Sequence, residues 1–263
     1  MIAVCIATYN QEAYIGQAIE SVQAQVCDIP IRIYIGDDAS TDDTQSVCMR
    51  YAAQDERIVY VRREKNMGLV DNTINLYREI MADQCTYIAM LDGDDYWTDS
   101  HKLQIQIDYL QRHPEVGLVH TAVEGQTDEA IPTGDLSERY NLMGARQTNC
   151  TVLFRSDLLN ENELKEIELH HFPVLDYPLY GIFSQQTCFG FIAQPTAVWR
   201  SHESVSQAGS AKARLKYRHE RIRMWHWLDK KYKNHFHFRW DKAILWFIWQ
   251  NFYFLFAQFK KKL

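Results

Sequence analysis

Four short apolar runs, with helical patterns between them, limit most strongly how the first hundred residues can fold. The runs are rich in Ile, Val and Tyr and have the length of buried strands: Ile2–Thr8, Ile31–Gly36, Ile58–Arg62 and Thr86–Leu91. The segments between them have the apolar period of helices: Glu12–Gln25, Asp42–Ala53 and Leu69–Ala82. Strands that alternate with helices predict an α/β fold, with a mainly parallel sheet flanked by helices.

The remainder of the chain has weaker patterns. It predicts helices at Ser100–Arg112 and Tyr177–Gln185, a flexible polar loop over 123–147, and strands at Val116–Thr121, Thr151–Arg155 and Phe189–Val198. We therefore predict one domain over 1–210, with a first half, 1–121, and a second half, 122–210. A helical tail, 211–263, follows it.

The charge is divided unequally along the chain. From Lys212 onwards there are fourteen Lys and Arg against three Asp and Glu, whereas the first 211 residues hold fourteen basic and 31 acidic side chains. Six scattered cysteines without a CxxC pair, and an N-terminus without a signal-peptide pattern, predict a reduced, cytoplasmic protein. These features exclude collagen, coiled coils, disulfide scaffolds and multispan membrane proteins.

Three polar clusters lie where predicted strands end: Thr8-Tyr9-Asn10, Asp37-Asp38 and Asp92-Gly93-Asp94-Asp95. The carboxyl ends of parallel strands meet at one edge of a sheet, and ligands bind there. We therefore expect the three clusters to converge on one crevice.

Asp92-Gly93-Asp94 forms a D-x-D pattern on a turn directly after an apolar strand. Carboxylate oxygens suit Mg²⁺ and similar cations, which take one or two protein carboxylates together with substrate phosphates. The acidity of the whole turn favours this metal-binding interpretation over a merely solvated turn.

Asp38 has two interpretations. Its carboxylate can accept a hydrogen bond from the imide N–H of a uracil-type base. Alternatively, the acidic stretch Asp37–Asp43 caps the helix that follows it. The two roles are compatible, with Ser40–Asp43 as the cap and Asp38 as the ligand.

Three segments in this order resemble the family 2 glycosyltransferases: Val4-Cys5-Ile6-Ala7-Thr8-Tyr9-Asn10, Ile35-Gly36-Asp37-Asp38-Ala39-Ser40-Thr41-Asp42 and Leu91-Asp92-Gly93-Asp94-Asp95-Tyr96-Trp97. The match runs through residues 1–121, and Lys102-Leu103-Gln104-x-Gln106 also fits it. The resemblance implies the GT-A fold, a nucleotide-sugar donor that is usually a UDP-sugar, Mn²⁺ or Mg²⁺, and inversion at the anomeric carbon.

The resemblance also implies that 1–210 is a catalytic domain, with a nucleotide-binding half, 1–121, and an acceptor half, 122–210. It implies roles for particular residues as well. Thr8 and Asp38 would contact the base, with Tyr9 and Asn10 beside them in the nucleotide site. Asp92 would lie near the ribose and the metal, and Asp94 would be the principal metal ligand.

The catalytic base of the family is an Asp some eighty residues after the D-x-D, and Asp176 occupies that position. Leu175 stands where members often have Glu, so the match depends on position and context. A carboxylate at the end of an apolar stretch is partly desolvated, which raises its pKa and suits it to general-base work. The alternative is a helix cap ahead of Pro178.

The segment Trp199–Ser206 resembles the part of the family that closes the donor site, and His202 in it is a candidate metal ligand. A solvated histidine is the alternative. The Gln/Arg-x-x-Arg-Trp pattern of processive synthases is absent from this segment, which favours single addition over polymerisation.

The tail has its own pattern. Ala243–Phe259 is almost wholly apolar, and Lys260-Lys261-Lys262 follows it. Residues 212–263 therefore predict attachment to an anionic membrane surface on the inner face of the membrane. The alternative is packing on the catalytic domain or on a second subunit in a homo-oligomer. Nucleic-acid binding is disfavoured because the tail has no recognisable module and the body is acidic.

Together these features predict a metal-dependent, inverting transferase of the hexosyltransferase type. It would move a sugar to a hydroxyl of a saccharide or lipid-linked acceptor in cell-surface polysaccharide or lipopolysaccharide synthesis. One alternative is a sugar-phosphate nucleotidyltransferase, although Ala7–Glu12 contains neither the Gly nor the Lys or Arg of a triphosphate loop. The other is a catalytically silent, membrane-associated scaffold of the same fold.

Overall fold

An eight-stranded sheet organises the part of the chain that the computed structural model describes, which is 1–125, 148–200 and 211–232. The strands are β1 Ile2–Thr8, β2 Ile31–Asp37, β3 Ile58–Arg62, β4 Tyr87–Asp92, β5 Tyr96–Trp97, β6 Val116–Val123, β7 Val152–Arg155 and β8 Cys188–Val198. Their spatial order is β3-β2-β1-β4-β7-β6-β8-β5.

The sheet is mixed. Strands β3, β2, β1 and β4 are mutually parallel, and β6 pairs with β8 in parallel. The β4–β7, β6–β7 and β5–β8 pairs are antiparallel. The predicted α/β class is therefore confirmed, with parallel pairing concentrated in the N-terminal half, where helices connect successive strands.

The helices of this sheet domain are α1 Ile15–Gln23, α2 Thr44–Gln54, α3 Leu69–Ala82, α4 Lys102–Arg112, α5 Glu161–His170 and α6 Asp176–Phe183. Helix α1 begins three residues after the predicted start at Glu12. The reason is that Glu12 binds the next loop instead: its carboxylate accepts a hydrogen bond from the Asp43 amide (2.7 Å), and its own amide donates to Asp42 (3.1 Å).

Alternate residues of β1 enter one core. Ile2, Val4 and Ile6 are fully buried together with Ile19 of α1 and Ile107 of α4. Successive residues of a strand point to opposite faces, and the intervening positions of β1 are buried as well. Helix α3 packs against β1 and β2. Strand β1 is therefore covered on both faces, which leaves its carboxyl end as the part that a ligand can reach.

The register of the parallel strands aligns the ends that carry the polar clusters. Thr8 of β1 is level with Asp37 of β2, and Ala7 is level with Asp92 of β4. The three clusters consequently lie at one edge of the sheet.

The chain divides into two compact units, Met1–His202 and Glu203–Leu263. In the second unit the structure describes helix α7, Ala211–Lys231, whose last turn carries two lysines. The domain boundary after residue 210 stays a prediction. Most of the predicted 123–147 loop and the whole Ala243–Phe259 segment lie outside the described residues. Among the helices that are described, none has both the length and the apolar character needed to cross a bilayer.

Candidate active site

The acidic turn after β4 packs tightly against the end of β1. The Gly93 amide donates to the carbonyl of Ala7 (3.1 Å), and the Asp95 amide donates to the carbonyl of Asp92 (3.0 Å). A Cβ atom at position 93 would lie 2.9 Å from the Thr8 side chain and closer still to that of Gln11. The turn therefore requires glycine at its second position, and it holds the Asp92 and Asp94 backbones in place.

The carboxylates of this turn repel one another in a desolvated setting. Burial of the carboxylate, followed by the charges of Asp95, Asp94 and Asp176, raises the pKa of Asp92 to about 8. Burial also raises the pKa of Asp95 to about 6, although Asp95 accepts a hydrogen bond from the Arg200 amide (2.8 Å). Neighbouring carboxylates in a desolvated site are stable in their ionised forms only when a positive charge lies beside them.

A cavity opens beside Asp92. Its wall includes Asp176 at the first position of α6, 84 residues further along the chain. Other parts of the wall come from β1, α3 and α6: Ala7, Leu69, Thr73, Tyr77 and Tyr180. The structure thus brings together two carboxylates that the sequence singled out for different reasons.

Asn149 links the two sides of this cavity, and the sequence did not indicate it. Its side-chain amide donates to Oδ1 of Asp92 (3.0 Å), and its Oδ1 accepts the hydroxyl of Tyr180 (2.9 Å). Tyr180 follows Asp176 by one helical turn, so both lie on the same face of α6. The four-residue spacing from Asp176 could have indicated Tyr180 from the sequence. Nothing in the local sequence distinguishes Asn149 from other polar loop residues.

Asp38 is buried and already binds the backbone. Its two carboxylate oxygens accept the amides of Met67 and Gly68, each at 2.8 Å. Gly68 has a φ of 92°, a conformation that favours glycine. Neighbouring Asp37 accepts the Ser40 amide (2.8 Å) and the Tyr60 hydroxyl (2.6 Å). Asp37 therefore closes the turn before α2, and Asp38 ties this strand end to the loop before α3.

The three residues at the end of β1 differ in accessibility. Thr8 is buried and donates to the side chain of Gln11 (2.7 Å). Asn10, with a φ of 52°, accepts the Thr41 amide (2.8 Å) and so joins the two loops. Tyr9 is 43% exposed. Asn10 is exposed as well, so the side chains of Tyr9 and Asn10 are open to a ligand, whereas that of Thr8 is not.

Arg200 brings a positive charge to the acidic turn. Its guanidinium donates to the backbone carbonyl of Asp94 and to the side chain of Gln17. The same group lies over the Tyr96 ring, 4.6 Å from its centroid, and over the Tyr14 ring at 5.1 Å. His202, two residues later, lies outside the described residues.

Within the described ranges, no three His, Cys, Asp or Glu side chains are grouped so that they would enclose a metal ion.

The fold has known counterparts. TarS of Staphylococcus aureus, solved in complex with UDP-GlcNAc, aligns with a TM-score of 0.59 at 18% identity, over 90% of this chain and 73% of that one. The mannosyltransferase PcManGT of Pyrobaculum calidifontis, solved with GDP-Man and Mn²⁺, aligns with a TM-score of 0.60 at 16% identity, over 86% and 63%. The sheet with its acidic edge therefore defines a GT-A domain, as expected.

The family follows from the sequence match. The profile of glycosyl transferase family 2 matches residues 3–159, more than half of the chain. This chain belongs to glycosyl transferase family 2, which confirms the resemblance of its motifs.

Curated relatives resemble different portions of the chain. The Mycobacterium tuberculosis protein Rv1520 is 38% identical over 132 residues, which are 48% of this chain and 37% of that protein. The chain thus aligns with little more than a third of that relative. The Escherichia coli glucosyltransferase WfaP is 28% identical over 214 residues, 81% of this chain and 80% of WfaP. The Shigella flexneri dTDP-rhamnosyl transferase RfbG is 24% identical over 232 residues, 81% and 77%.

Proposed function

We propose that this chain is an inverting glycosyltransferase that moves a sugar from a nucleotide-sugar to an acceptor hydroxyl. The observation that carries the proposal is the cavity in which Asp92 of the acidic turn and Asp176 of α6 share one wall. In this proposal Asp92 lies near the donor diphosphate and Asp176 lies near the acceptor hydroxyl, and both line the cavity that would hold the sugar. Membership of family 2 supports the same reaction class.

Asp176 is the proposed general base. It would accept the proton of the acceptor hydroxyl as that oxygen attacks the anomeric carbon of the donor. The bond between the anomeric carbon and the diphosphate oxygen breaks, and the nucleoside diphosphate leaves with the bonding electrons. Attack opposite the leaving group inverts the configuration.

A divalent cation, Mn²⁺ or Mg²⁺, is part of the proposal. The oxygen donors of Asp94 and Asp92 suit such ions, which complete their shell with phosphate oxygens and water when the protein supplies one or two carboxylates. Mutual repulsion in the acidic turn also fits a site built for positive charge. When bound, the cation neutralises charge on the leaving diphosphate. His202 is proposed as a further ligand, on sequence grounds alone.

The proposed base recognition involves Asp38, Thr8, Tyr9 and Asn10. Asp38 has both oxygens on backbone amides, yet each oxygen retains a second lone pair that can accept an imide N–H. Uracil and thymine both carry that N–H. The name of WfaP specifies UDP-Glc and that of RfbG specifies a dTDP-rhamnosyl donor, and we propose a UDP-sugar for this chain.

The proposed acceptor is a saccharide, free or lipid-linked, in cell-surface polysaccharide or lipopolysaccharide synthesis. WfaP, whose name specifies a diphosphoundecaprenol-linked acceptor, supports the lipid-linked form.

A thermal-shift titration tests the donor. The purified protein is titrated with UDP, dTDP and GDP, each with Mn²⁺ and with a chelator. At a hundred times its dissociation constant, a ligand adds about 2.7 kcal/mol of stability, so binding is easily detected. We expect a shift with UDP that requires Mn²⁺. A preference for dTDP or GDP would overturn the donor, and no shift with any nucleotide would overturn the function.

Two substitutions separate binding from transfer. Asp94→Asn should abolish the Mn²⁺-dependent shift, whereas Asp176→Asn should retain it and lose transfer by a factor of about 10²–10⁴. Asp28→Asn is the matched control, because Asp28 is exposed and precedes β2, at the opposite edge of the sheet. Full donor binding by Asp94→Asn would contradict the metal assignment.

A further inference from the structure

We infer that Asn149 is a positioning residue of the active site, which fixes the Asp92 carboxylate and couples it to helix α6. The inference rests on the proposed function, because Asp92 and Asp176 are the groups that it relates. Asn149 itself contacts neither reacting atom in this account. It acts through Asp92 on one side and Tyr180 on the other.

The side chain of Asn149 uses both ends of its amide. The NH₂ group donates to Oδ1 of Asp92, and the carbonyl oxygen accepts the hydroxyl of Tyr180. An amide has one donor end and one acceptor end, so this pair of contacts fixes its orientation. With one oxygen of Asp92 bound by Asn149, the carboxylate has a defined rotation at the cavity wall.

The charges around Asp92 make this donor valuable. Asp94 and Asp95 follow Asp92 on the same turn and Asp176 lines the same cavity, so the neutral donor of Asn149 binds a carboxylate that has other carboxylates around it. Outer partners that hold a ligating carboxylate in this way commonly account for a factor of ten to a hundred in metal affinity or activity.

The backbone that carries Asn149 is itself held by buried side chains. Asn149–Thr151 forms a single 3-10 turn. The indole of Trp97 donates to the carbonyl of Cys150 (2.8 Å), and the amide of Gln106 donates to the carbonyl of Thr151 (2.8 Å). Both bonds are buried, and the ammonium of Lys102 donates to the other end of the Gln106 amide (2.6 Å). The turn is therefore fixed before any ligand arrives, as a positioning role requires.

Tyr180 extends the connection to the proposed base. It lies one turn after Asp176 on α6, and its hydroxyl bond to Asn149 holds that helix against the turn. Asn149 thus joins the acidic turn at the end of β4 to the helix that begins with Asp176. These two elements must stay in register if the leaving diphosphate and the attacking hydroxyl are to be aligned.

Asn149→Asp provides a sharp test, because it retains the shape and the acceptor for Tyr180 but replaces the donor with a carboxylate. Asn160→Asp is the matched control: Asn160 is the exposed cap of α5, and aspartate caps equally well. Mn²⁺ affinity in the presence of UDP is measured by titration calorimetry, with the melting temperature of each protein as a check on folding. Donor turnover with UDP-glucose, measured as UDP release, separates kcat from KM.

We expect Asn149→Asp to weaken Mn²⁺–UDP binding ten- to a hundredfold and Asn160→Asp to leave it unchanged. Asn149→Ala should also lower the affinity for Mn²⁺–UDP. Adding Tyr180→Phe to Asn149→Ala should change this affinity little further, because the Tyr180 hydroxyl has already lost its acceptor on Asn149. The melting temperature of Asn149→Asp without ligand should change far less than its affinity.

The outcomes are separable. Wild-type protein that binds no Mn²⁺–UDP would overturn the proposed donor site, and the positioning role with it. Wild-type binding that Asn149→Asp leaves intact would overturn the positioning role alone. If both Asn149→Asp and Asn149→Ala lower the melting temperature of the ligand-free protein in step with the Mn²⁺–UDP affinity, Asn149 is a residue of general stability. That result would also contradict the inference.

Discussion

Lys102 provides a quantitative test of how the site is supported. It has no exposed surface, its ammonium donates to Gln106, and that nitrogen lies 4.4 Å from the centroid of the Trp97 ring. Burial lowers the pKa of Lys102 from 10.5 to about 7, because the charged ammonium loses its hydration. A lysine in this state makes the stability of the folded protein depend on pH.

The direction of that dependence follows from proton binding. Between pH 7 and pH 10.5 the unfolded chain holds a proton on Lys102 that the folded protein has largely released. The unfolded state therefore binds more protons, and stability rises with pH across this window. Below pH 7 both states are charged and the cost of burial is constant. One pKa unit corresponds to 1.36 kcal/mol, so the rise from pH 7 to pH 9 amounts to roughly 2 kcal/mol.

Lys102→Met keeps an unbranched side chain that is one atom shorter, and it removes the titrating group. Urea unfolding at pH 7, 8 and 9 should show that wild-type protein gains roughly 2 kcal/mol more between pH 7 and 9 than the variant. Other titrating groups cancel in this difference. Lys165→Met, at an exposed position on α5, is the control and should follow the wild type. If the free energy of unfolding depends on pH identically in wild type and in Lys102→Met, the argument that burial favours the neutral form of this lysine is refuted.

Three other predictions concern different parts of the chain. Gly93→Ala should destabilise the protein by about 1–3 kcal/mol in urea unfolding and weaken Mn²⁺–UDP binding, because the new Cβ would collide with the Thr8 side chain. Gly16→Ala is the control: its Cβ would approach only the end of the Tyr51 side chain, at 3.3 Å, and neither stability nor binding should change. His120 is buried beside Phe191, and burial lowers its pKa to about 4, so the unfolded state takes up a proton first as the pH falls. Stability should therefore decline from pH 6.5 towards pH 4.5, and His120→Leu should reduce that decline by roughly 2 kcal/mol in urea unfolding, with an unchanged decline as the contrary result. The full chain should sediment with phosphatidylglycerol vesicles and be released by salt if the tail, 212–263, binds anionic lipid, whereas equal binding to phosphatidylcholine vesicles would argue against an electrostatic attachment.

The first four strands could be predicted to within a residue or so because each is a mainly apolar run ended by polar residues. Their convergence at one edge followed from the parallel connections, which put Thr8 level with Asp37. Strand β5 was missed, since two residues, Tyr96 and Trp97, carry no period. The antiparallel pairing of β7 with β4 was also beyond prediction, because a local pattern identifies a strand and does not identify its partner.

The candidate site could likewise be predicted only in part from the sequence. Asp92 and Asp176 were selected from motif and position, and their roles stay predictions. Their proximity could not be derived, because it depends on how α6 returns to the end of β4. Asn149 acts through Asp92 and Tyr180, which are distant in sequence, so its own neighbours give no hint of it. The hydrogen bonds of Asp38 to the loop before α3 could not be predicted either, because they too join residues that are distant in sequence.

That binding has a consequence for how a ligand is sensed. Asp38 holds the amides of Met67 and Gly68, and Leu69, the next residue, lines the cavity. A nucleobase at Asp38 and a sugar in the cavity would thus act on three consecutive residues at the start of α3. Because energetic coupling between sites is reciprocal, each half of the donor would then change the affinity for the other. The chain would respond to an intact donor differently from an equal mixture of its fragments.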